Sequence, residues 1–497
     1  MAKKIIIIGA GISGLTAGIY LQMNDYQTEI FEIHNIPGGV CTAWKRKDYV
    51  FDGCLQWLVG SSNETEFHSL WQEVNAFQGV SFVDGDENYK VVEDSQEFTL
   101  FYDQVKARSE MMRVAPEDEK VIDNFLSDLE RVSKIAPPIG KAPELFGFSD
   151  YLRLVLKFGN NLLFMRKLMK QTWDNYTGKF SNEKLLKYIK TAVPYDNFSA
   201  FAALNSISWR MKKRAGYPIG GSLPIAKNIE TTYLAHGGKI HYHSRVVEIL
   251  VKDNKAVGVE LESGEKHFAD IVISAGDGYN TIYELLKGKY TSPEIDSYYK
   301  DLEIFGPICQ VSFGINYNFK EVPHTIVYLF DEGITIDPKT IINRIPFHIY
   351  SFDPTLAPEG KTVVTTLIKA SDFEYWQNLR KNDHNQYNKE KERLAKIVAE
   401  KLEILFPGIR EKIEVTDVAT PITFYRYTNN WRGGFEGWII TPKTINGMKK
   451  TLPGLDNFYM ISQWVNPGGG LPAAIMSGRN VTQVICNKEK IPFIVRK

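Results

Sequence analysis

The chain has 497 residues, 43% hydrophobic and 24% charged, a balance suited to a globular protein of two or three ordinary domains. Lys plus Arg and Asp plus Glu both total 59, so no basic footprint marks a nucleic-acid binder. Four scattered cysteines, Cys41, Cys54, Cys309 and Cys486, provide neither a disulfide framework nor a zinc ribbon. No run of about 18 apolar residues is present to span a bilayer, and the opening apolar run is too short for a signal-peptide core. A cytoplasmic protein is expected, with attachment to a membrane surface left open.

The first elements form a nucleotide site. Residues 5–8 are a continuous apolar run, as in a strand buried on both faces of a parallel sheet. Gly9, Gly11 and Gly14 follow as G-x-G-x-x-G, and residues 15–21 carry a helical pattern. The glycines serve a tight turn, close approach to a pyrophosphate, and close helix–strand packing. Ile12 and Ser13 open the helix, whose free N–H groups and positive dipole end suit phosphates. A second strand at 28–31 ends at Glu32, 18 residues after Gly14, where a carboxylate accepts hydrogen bonds from an adenosine ribose. Strand, loop, helix and acid together predict a bound dinucleotide.

Five residues beyond Glu32 comes P-G-G, ending in Gly38 and Gly39. Glycines there let a second backbone segment approach the pyrophosphate, which a simple NAD dehydrogenase does not need. The combination resembles the flavoprotein superfamily that includes amine oxidases and phytoene desaturases, and the resemblance implies FAD. Many members follow G-G with Arg; here Val40 and Cys41 follow, closer to a retinol-saturase-like subgroup. Cys41 and Cys54 read as small buried apolar residues.

Further along, residues 216–287 return to the nucleotide. A helix ending at H-G-G leads to S-R-V-V-E-I-L-V, A-V-G-V-E-L-E and F-A-D-I-V-I-S-A-G-D, a pattern of a β-meander followed by a buried strand at 271–274. The family match implies a backbone contact from Val246 to adenine, with Ala275 ending a strand beside the cofactor. G-Y-P-I-G-G at 216–221 lacks a preceding buried strand, so no separate NAD site is expected. His241 and His243 share a strand face without a third ligand, and no metal is expected.

Two stretches remain for substrate. Residues 76–213 begin with strand-like pieces and turn helical after P-E-D at 116–118; residues 290–444 contain four strand-like runs and a helix around 390–405. One sheet drawn from both, with helices on one side, would make a second domain interleaved with the first. Residues 151–170 are apolar and basic with no acid, either a helical pair covering an apolar cavity or an interfacial element on anionic lipid.

Near the end, V-N-P-G-G-G-L-P leads into a helix carrying S-G. This ending and T-P-I-T-F-Y-R-Y-T-N-N-W-R-G-G-F-E-G-W at 420–438 resemble the phytoene desaturase branch, which includes carotenoid isomerases and retinol saturases. Amine oxidases place E-G-A where this chain has Gly470, Leu471 and Pro472. The resemblance implies that Gly470 and Leu471 point N–H groups at the flavin pyrimidine edge, with Pro472 in the first helical turn.

The expected architecture is α/β: a Rossmann-like FAD-binding domain of the glutathione reductase/amine oxidase type (1–75, 214–289 and 445–497), interleaved with an α+β substrate domain (76–213 and 290–444) whose mixed sheet is covered by helices. The expected activity is hydride transfer between flavin N5 and a C–C or C=C bond of an apolar polyene, isoprenoid or retinoid-like molecule, as saturase or desaturase. A redox-neutral isomerase, an amine oxidase, and a non-enzymatic flavin or lipid carrier are the alternatives. Tyr217, Gln463 and Trp464 are the candidate catalytic groups, and only tyrosine has ordinary acid–base capacity. The electron donor or acceptor, whether NAD(P)H, quinone or another, is not readable.

Overall fold

A computed structural model describes residues 2–135, 138–159, 161–444 and 447–496. The apolar run at the N-terminus forms the strand Lys4–Ile8, central in a five-stranded parallel sheet. Ile271–Ser274 and then Phe458–Met460 lie on one side of it, Gln27–Phe31 and then Lys239–His241 on the other. Three separate chain segments therefore build one sheet. Ile5, Ile6 and Ile7 are fully buried, which explains their unbroken hydrophobicity.

The helix Ile12–Met23 runs back across this sheet and is buried nearly all round. It packs on the helices Leu223–Ala235 and Gly470–Lys488. A Cβ at Gly478 would stand 2.3 Å from Thr16 Oγ1 and 2.6 Å from the Ala17 nitrogen, so this crossing excludes any side chain. The S-G of the C-terminal motif thereby clamps the last helix onto the first.

The β-meander appears as the antiparallel strands Val246–Lys252, Lys255–Leu261 and Lys266–Phe268. A second sheet of seven strands runs Ile413–Ala419, Ile308–Ile315, Thr362–Lys369, Thr340–Ile349, Thr325–Asp337, Glu87–Glu93, Gln96–Phe101. It is antiparallel except where Thr325–Asp337 meets Glu87–Glu93, and it draws strands from both substrate stretches.

Helices cover both faces of this sheet, not one. Along Thr325–Asp337, Ile326, Tyr328 and Phe330 join a core with the helices Phe373–Asn382 and His384–Leu405. Val327 and Leu329 turn to a core built with Gln104–Val114, Glu119–Ser133 and Ala200–Met211. The period-2 alternation of a strand apolar on both sides demands two covers. Helix also begins earlier than P-E-D: Asp103 accepts from the Lys106 N–H at 2.8 Å and starts Gln104–Val114, a cap that the strand-like sequence before it obscures.

Candidate functional site

The glycine loop is built as its sequence requires. Gly9 has φ 97°, and its N–H donates to the Phe31 carbonyl at 2.8 Å. A Cβ at Gly14 would lie 2.1 Å from the Gly9 oxygen, the close helix–strand contact expected of the third glycine. The buried Glu32 carboxylate accepts from the N–H groups of Ala10 at 2.7 Å and His34 at 2.8 Å. Burial pushes its carboxyl up, against those backbone donors. The P-G-G segment docks beside the loop: Gly38 donates its N–H to the Ala10 carbonyl at 2.9 Å, and Gly38 bridges Gly11.

These residues line one slot. It runs from Gly9, Gly11, Ile12, Ser13 and Glu32, past Gly38, Gly39, Val246 and Ala275, to Gln463, Trp464, Gly470 and Leu471. Gly14 and Pro472 are not on its lining: Gly14 packs beneath the loop, while Pro472 faces a second, larger cavity. At the far end of the slot Gly468, Gly469 and Gly470 have φ of 101°, 58° and 71°, three successive left-handed residues that only glycine adopts without strain. They turn the chain so that the helix Gly470–Lys488 begins at the junction of slot and cavity.

The larger cavity has a volume of about 1870 Å³, well above the roughly 300–1,000 Å³ of an ordinary ligand pocket. Trp57, Phe67, Phe198, Trp209 and Phe305 are among its walls. Cys54, Glu436, Phe435, Gly470 and Leu471 line both spaces. There the two cavities meet.

Glu436 is the unpredicted residue at this junction. It lies on the approach to the glycine triplet, where a Cβ on Gly469 would come within 2.4 Å of the Glu436 Cβ. Burial alone pushes its carboxyl up to about 7. An acid of that kind holds or releases a proton at neutral pH. It stands in W-R-G-G-F-E-G-W, an acid set among glycines and aromatics, and that was the available signal. Asp277, on the slot, is also raised to about 7 by burial, but accepts from Asn280 and Trp431 N–H groups at 2.7 and 2.8 Å. Its bonds tie the Trp431 loop to the sheet.

The three candidate catalytic groups separate. Gln463 and Trp464 lie on the slot, Tyr217 on the large cavity. Trp464 is 2% exposed, edge-on to Trp438 at 5.3 Å. Tyr217 is buried among Tyr350, Phe352 and His324, and burial pushes its phenol far up. The Cys41 thiol donates to the Ser222 carbonyl at 3.3 Å. The Cys41 thiol beside it, then burial, push Cys54 well up, so its surroundings do not favour a thiolate. His241 stacks on Phe31 at 4.6 Å and faces Glu29.

The slot suits an elongated dinucleotide. A Cβ on Gly11 would meet nothing within 4 Å, so the backbone there is open to the slot, and the Glu32 carboxylate lies on the same lining.

A family model, the flavin containing amine oxidoreductases, matches residues 12–486. Prolycopene isomerase 1 of an Oncidium hybrid cultivar is 25% identical over 493 residues, covering 95% of this chain and 82% of that one. A neurosporene-forming phytoene desaturase of Rhodobacter capsulatus is 24% identical over 521 residues, covering 98% and 94%. Among solved structures, an oxidoreductase from Methanosarcina mazei superposes with a TM-score of 0.60 at 18% identity, covering 97% and 100%. The chain belongs to the flavin containing amine oxidoreductase family and is an FAD-dependent oxidoreductase with its two-domain fold.

Proposed function

We propose that this enzyme moves a hydride between FAD and a C–C or C=C bond of an apolar polyene or isoprenoid-like molecule. The observation that carries this is the junction: a cavity of about 1870 Å³ with aromatic walls opens onto the slot at Gly470, Leu471 and Glu436. Relatives named for prolycopene isomerisation and phytoene desaturation agree with such a substrate.

Bound FAD supplies the hydride chemistry. The protein's residues position it and handle the proton. Gly9, Gly11, Ile12, Ser13, Gly38 and Gly39 would hold the pyrophosphate, Glu32 the ribose, and Val246 and Ala275 the adenine side. Gly470 and Leu471 would hold the ring at the helix N-terminus, where the dipole favours negative charge. Gly14 and Pro472 would act through packing and helix initiation. Glu436 is the acid–base group we favour over Tyr217, Gln463 and Trp464, because it faces both spaces with a carboxyl near neutrality. The segments 1–75, 214–289 and 445–497 form the FAD-binding domain, and 76–213 with 290–444 the substrate domain.

The substrate would enter from a membrane surface. Phe158, Met165 and Met169 face the cavity from the helices Phe148–Phe158 and Asn161–Met169. The same pair leaves Phe148, Leu156 and Leu163 at 86%, 74% and 77% exposure, with basic residues alongside, as an interfacial element does. Both readings of 151–170 are thus compatible. Among the described residues no helix is long and apolar enough to cross a membrane. A cytoplasmic enzyme with peripheral attachment fits this arrangement, and the electron partner would be a quinone, a nicotinamide or another carrier meeting the cofactor.

Anaerobic purification followed by mass spectrometry of extracted ligands tests the proposal, together with reoxidation of the reduced enzyme by added polyenes. Polyene or isoprenoid ligands and flavin reoxidation by them are expected. Hydrogen peroxide release with amines, and no response to polyenes, would favour an amine oxidase.

A further inference from the structure

The cavity carries a polar feature that a hydrocarbon would not need. Arg210 and Arg344 both line it, and among the described residues neither makes an ion pair. Arg210 Nε donates to the Ser206 carbonyl at 3.2 Å, and its guanidinium lies over Trp57 at 5.4 Å. Arg344 donates from Nη1 to the Thr191 carbonyl at 3.4 Å. The other basic groups on the lining differ: Lys339, Lys450 and Arg432 have carboxylate partners, while Lys300 and Lys369 stand exposed.

Burial pulls both guanidiniums down, opposed by neighbouring phenols: Tyr102 and Tyr89 for Arg210, Tyr195 and Tyr89 for Arg344. Tyr89 lines the same cavity and is influenced by both cations. Carboxylates also line the cavity, among them Asp84, Asp86 and Glu87. Burial pushes Asp84 and Glu87 up, with Lys213 and Lys90 respectively opposing it, and Asp86 pairs with Lys213 at 3.6 Å; none of the three makes an ion pair with Arg210 or Arg344 among the described residues. Both arginines are half-buried on the cavity wall, and a cation partly withdrawn from water with no carboxylate partner gains from a bound anion. Arginine's planar fork matches carboxylate and phosphate oxygens.

We propose that Arg210 and Arg344 form a head-group site for an anionic oxygen group, a carboxylate or a phosphate monoester, on a substrate whose tail is apolar. This rests on the proposed function and narrows its substrate class from neutral hydrocarbons to amphiphilic anions. Tyr195 lines the same cavity as Arg344 and Glu436; burial pushes its phenol up, with Glu436 adding to the shift and Arg344 opposing it.

The test is equilibrium binding to the FAD-loaded enzyme, read as quenching of tryptophan fluorescence, since Trp57 and Trp209 line the cavity. Four probes share an isoprenoid tail: geranylgeranoic acid, geranylgeranyl monophosphate, geranylgeraniol and squalene. The acid, the phosphate or both should bind at least about tenfold more tightly than the alcohol, as charge-assisted bonds require. Whichever anion binds more tightly identifies the head group. Arg210→Gln with Arg344→Gln should abolish the preference while alcohol affinity and flavin content stay unchanged; Arg344→Lys should restore part of it. Equal affinity for acid, phosphate and alcohol in the unaltered enzyme overturns the proposal and leaves the apolar cavity standing, as does a preference that survives both substitutions. Should the double variant not fold, the unaltered enzyme's ratio decides. Failure of all four probes to bind would instead overturn the isoprenoid substrate itself, and the head site with it.

Discussion

The slot and the cavity beside it are made of different materials. The slot is rich in backbone: glycines at 9, 11, 38, 39 and 470, a helix N-terminus and the buried acids Glu32 and Asp277. The cavity is mostly side chain, with aromatic walls from both substrate stretches and two unpaired arginines. The slot's glycines resist substitution because Gly9, Gly38, Gly39 and Gly470 hold positive φ, and a Cβ on Gly38 would also stand 2.1 Å from the Cys41 carbonyl oxygen. A side-chain surface can be remodelled one residue at a time, so one cofactor site can serve many substrates. In this chain the two meet at Glu436.

Substitutions in the two regions, and in the packing that holds the glycine loop in place, should therefore have unequal effects. Gly14→Val should be the most damaging, because its Cβ would stand 2.1 Å from the Gly9 oxygen and neither backbone can yield cheaply; overpacking of this kind costs about 1–3 kcal/mol or more. The variant should purify with little or no flavin, measured by absorbance after denaturation. Full flavin content would break the contrast.

Glu436→Gln should keep its FAD and lose about 10²-fold in kcat, the lower end for general acid–base catalysis. Its pH profile should lose the limb near 7. In the unaltered enzyme that limb reports direction: activity falling above about 7 means Glu436 gives a proton, and activity rising means it takes one. Stability follows the same titration. The folded carboxyl is raised from its ordinary 4.5 to about 7, so the stability it contributes is fully present below about 4.5 and lost as pH rises through about 7. The melting temperature of Glu436→Gln relative to the unaltered enzyme should accordingly rise between pH 5 and pH 8; a flat difference would place the carboxyl in water.

Replacing Phe148, Leu156 and Leu163 by Glu should weaken binding to anionic vesicles by at least about tenfold while leaving flavin content unchanged, since buried apolar area and charge attraction both contribute to interfacial binding. Unchanged sedimentation with vesicles would return these helices to a purely covering role. The smallest effect is expected from Cys41→Ala with Cys54→Ala: a stability loss of roughly 1 kcal/mol from lost packing, with kcat unaltered in the FAD-loaded protein. A drop in kcat would make the thiols participants.

The same contrast governs what the sequence makes legible. The glycine loop, Glu32 and the C-terminal glycine triplet could be found because backbone geometry forces residue identity at fixed spacing. The buried strands at Lys4–Ile8 and Ile271–Ser274 were equally plain, their apolar runs having no other use. Arg210 and Arg344 were not, since nothing local distinguishes a charge aimed into a cavity from one aimed at solvent, and Glu436 had only its setting among glycines and aromatics to mark it. Their meaning depends on elements more than a hundred residues apart packing together. The two-sided covering of the seven-stranded sheet escaped for a related reason: a strand with apolar residues on both faces does not say which helices will cover it.

The account holds that the two glycine-rich ends of the chain grip opposite ends of a single FAD. The most direct measurement is the nucleotide content of protein purified anaerobically with FAD present, quantified after denaturation against chain concentration. One FAD per chain and no second nucleotide is the predicted result. Two nucleotides per chain, or a colourless protein that takes up no FAD, would contradict it.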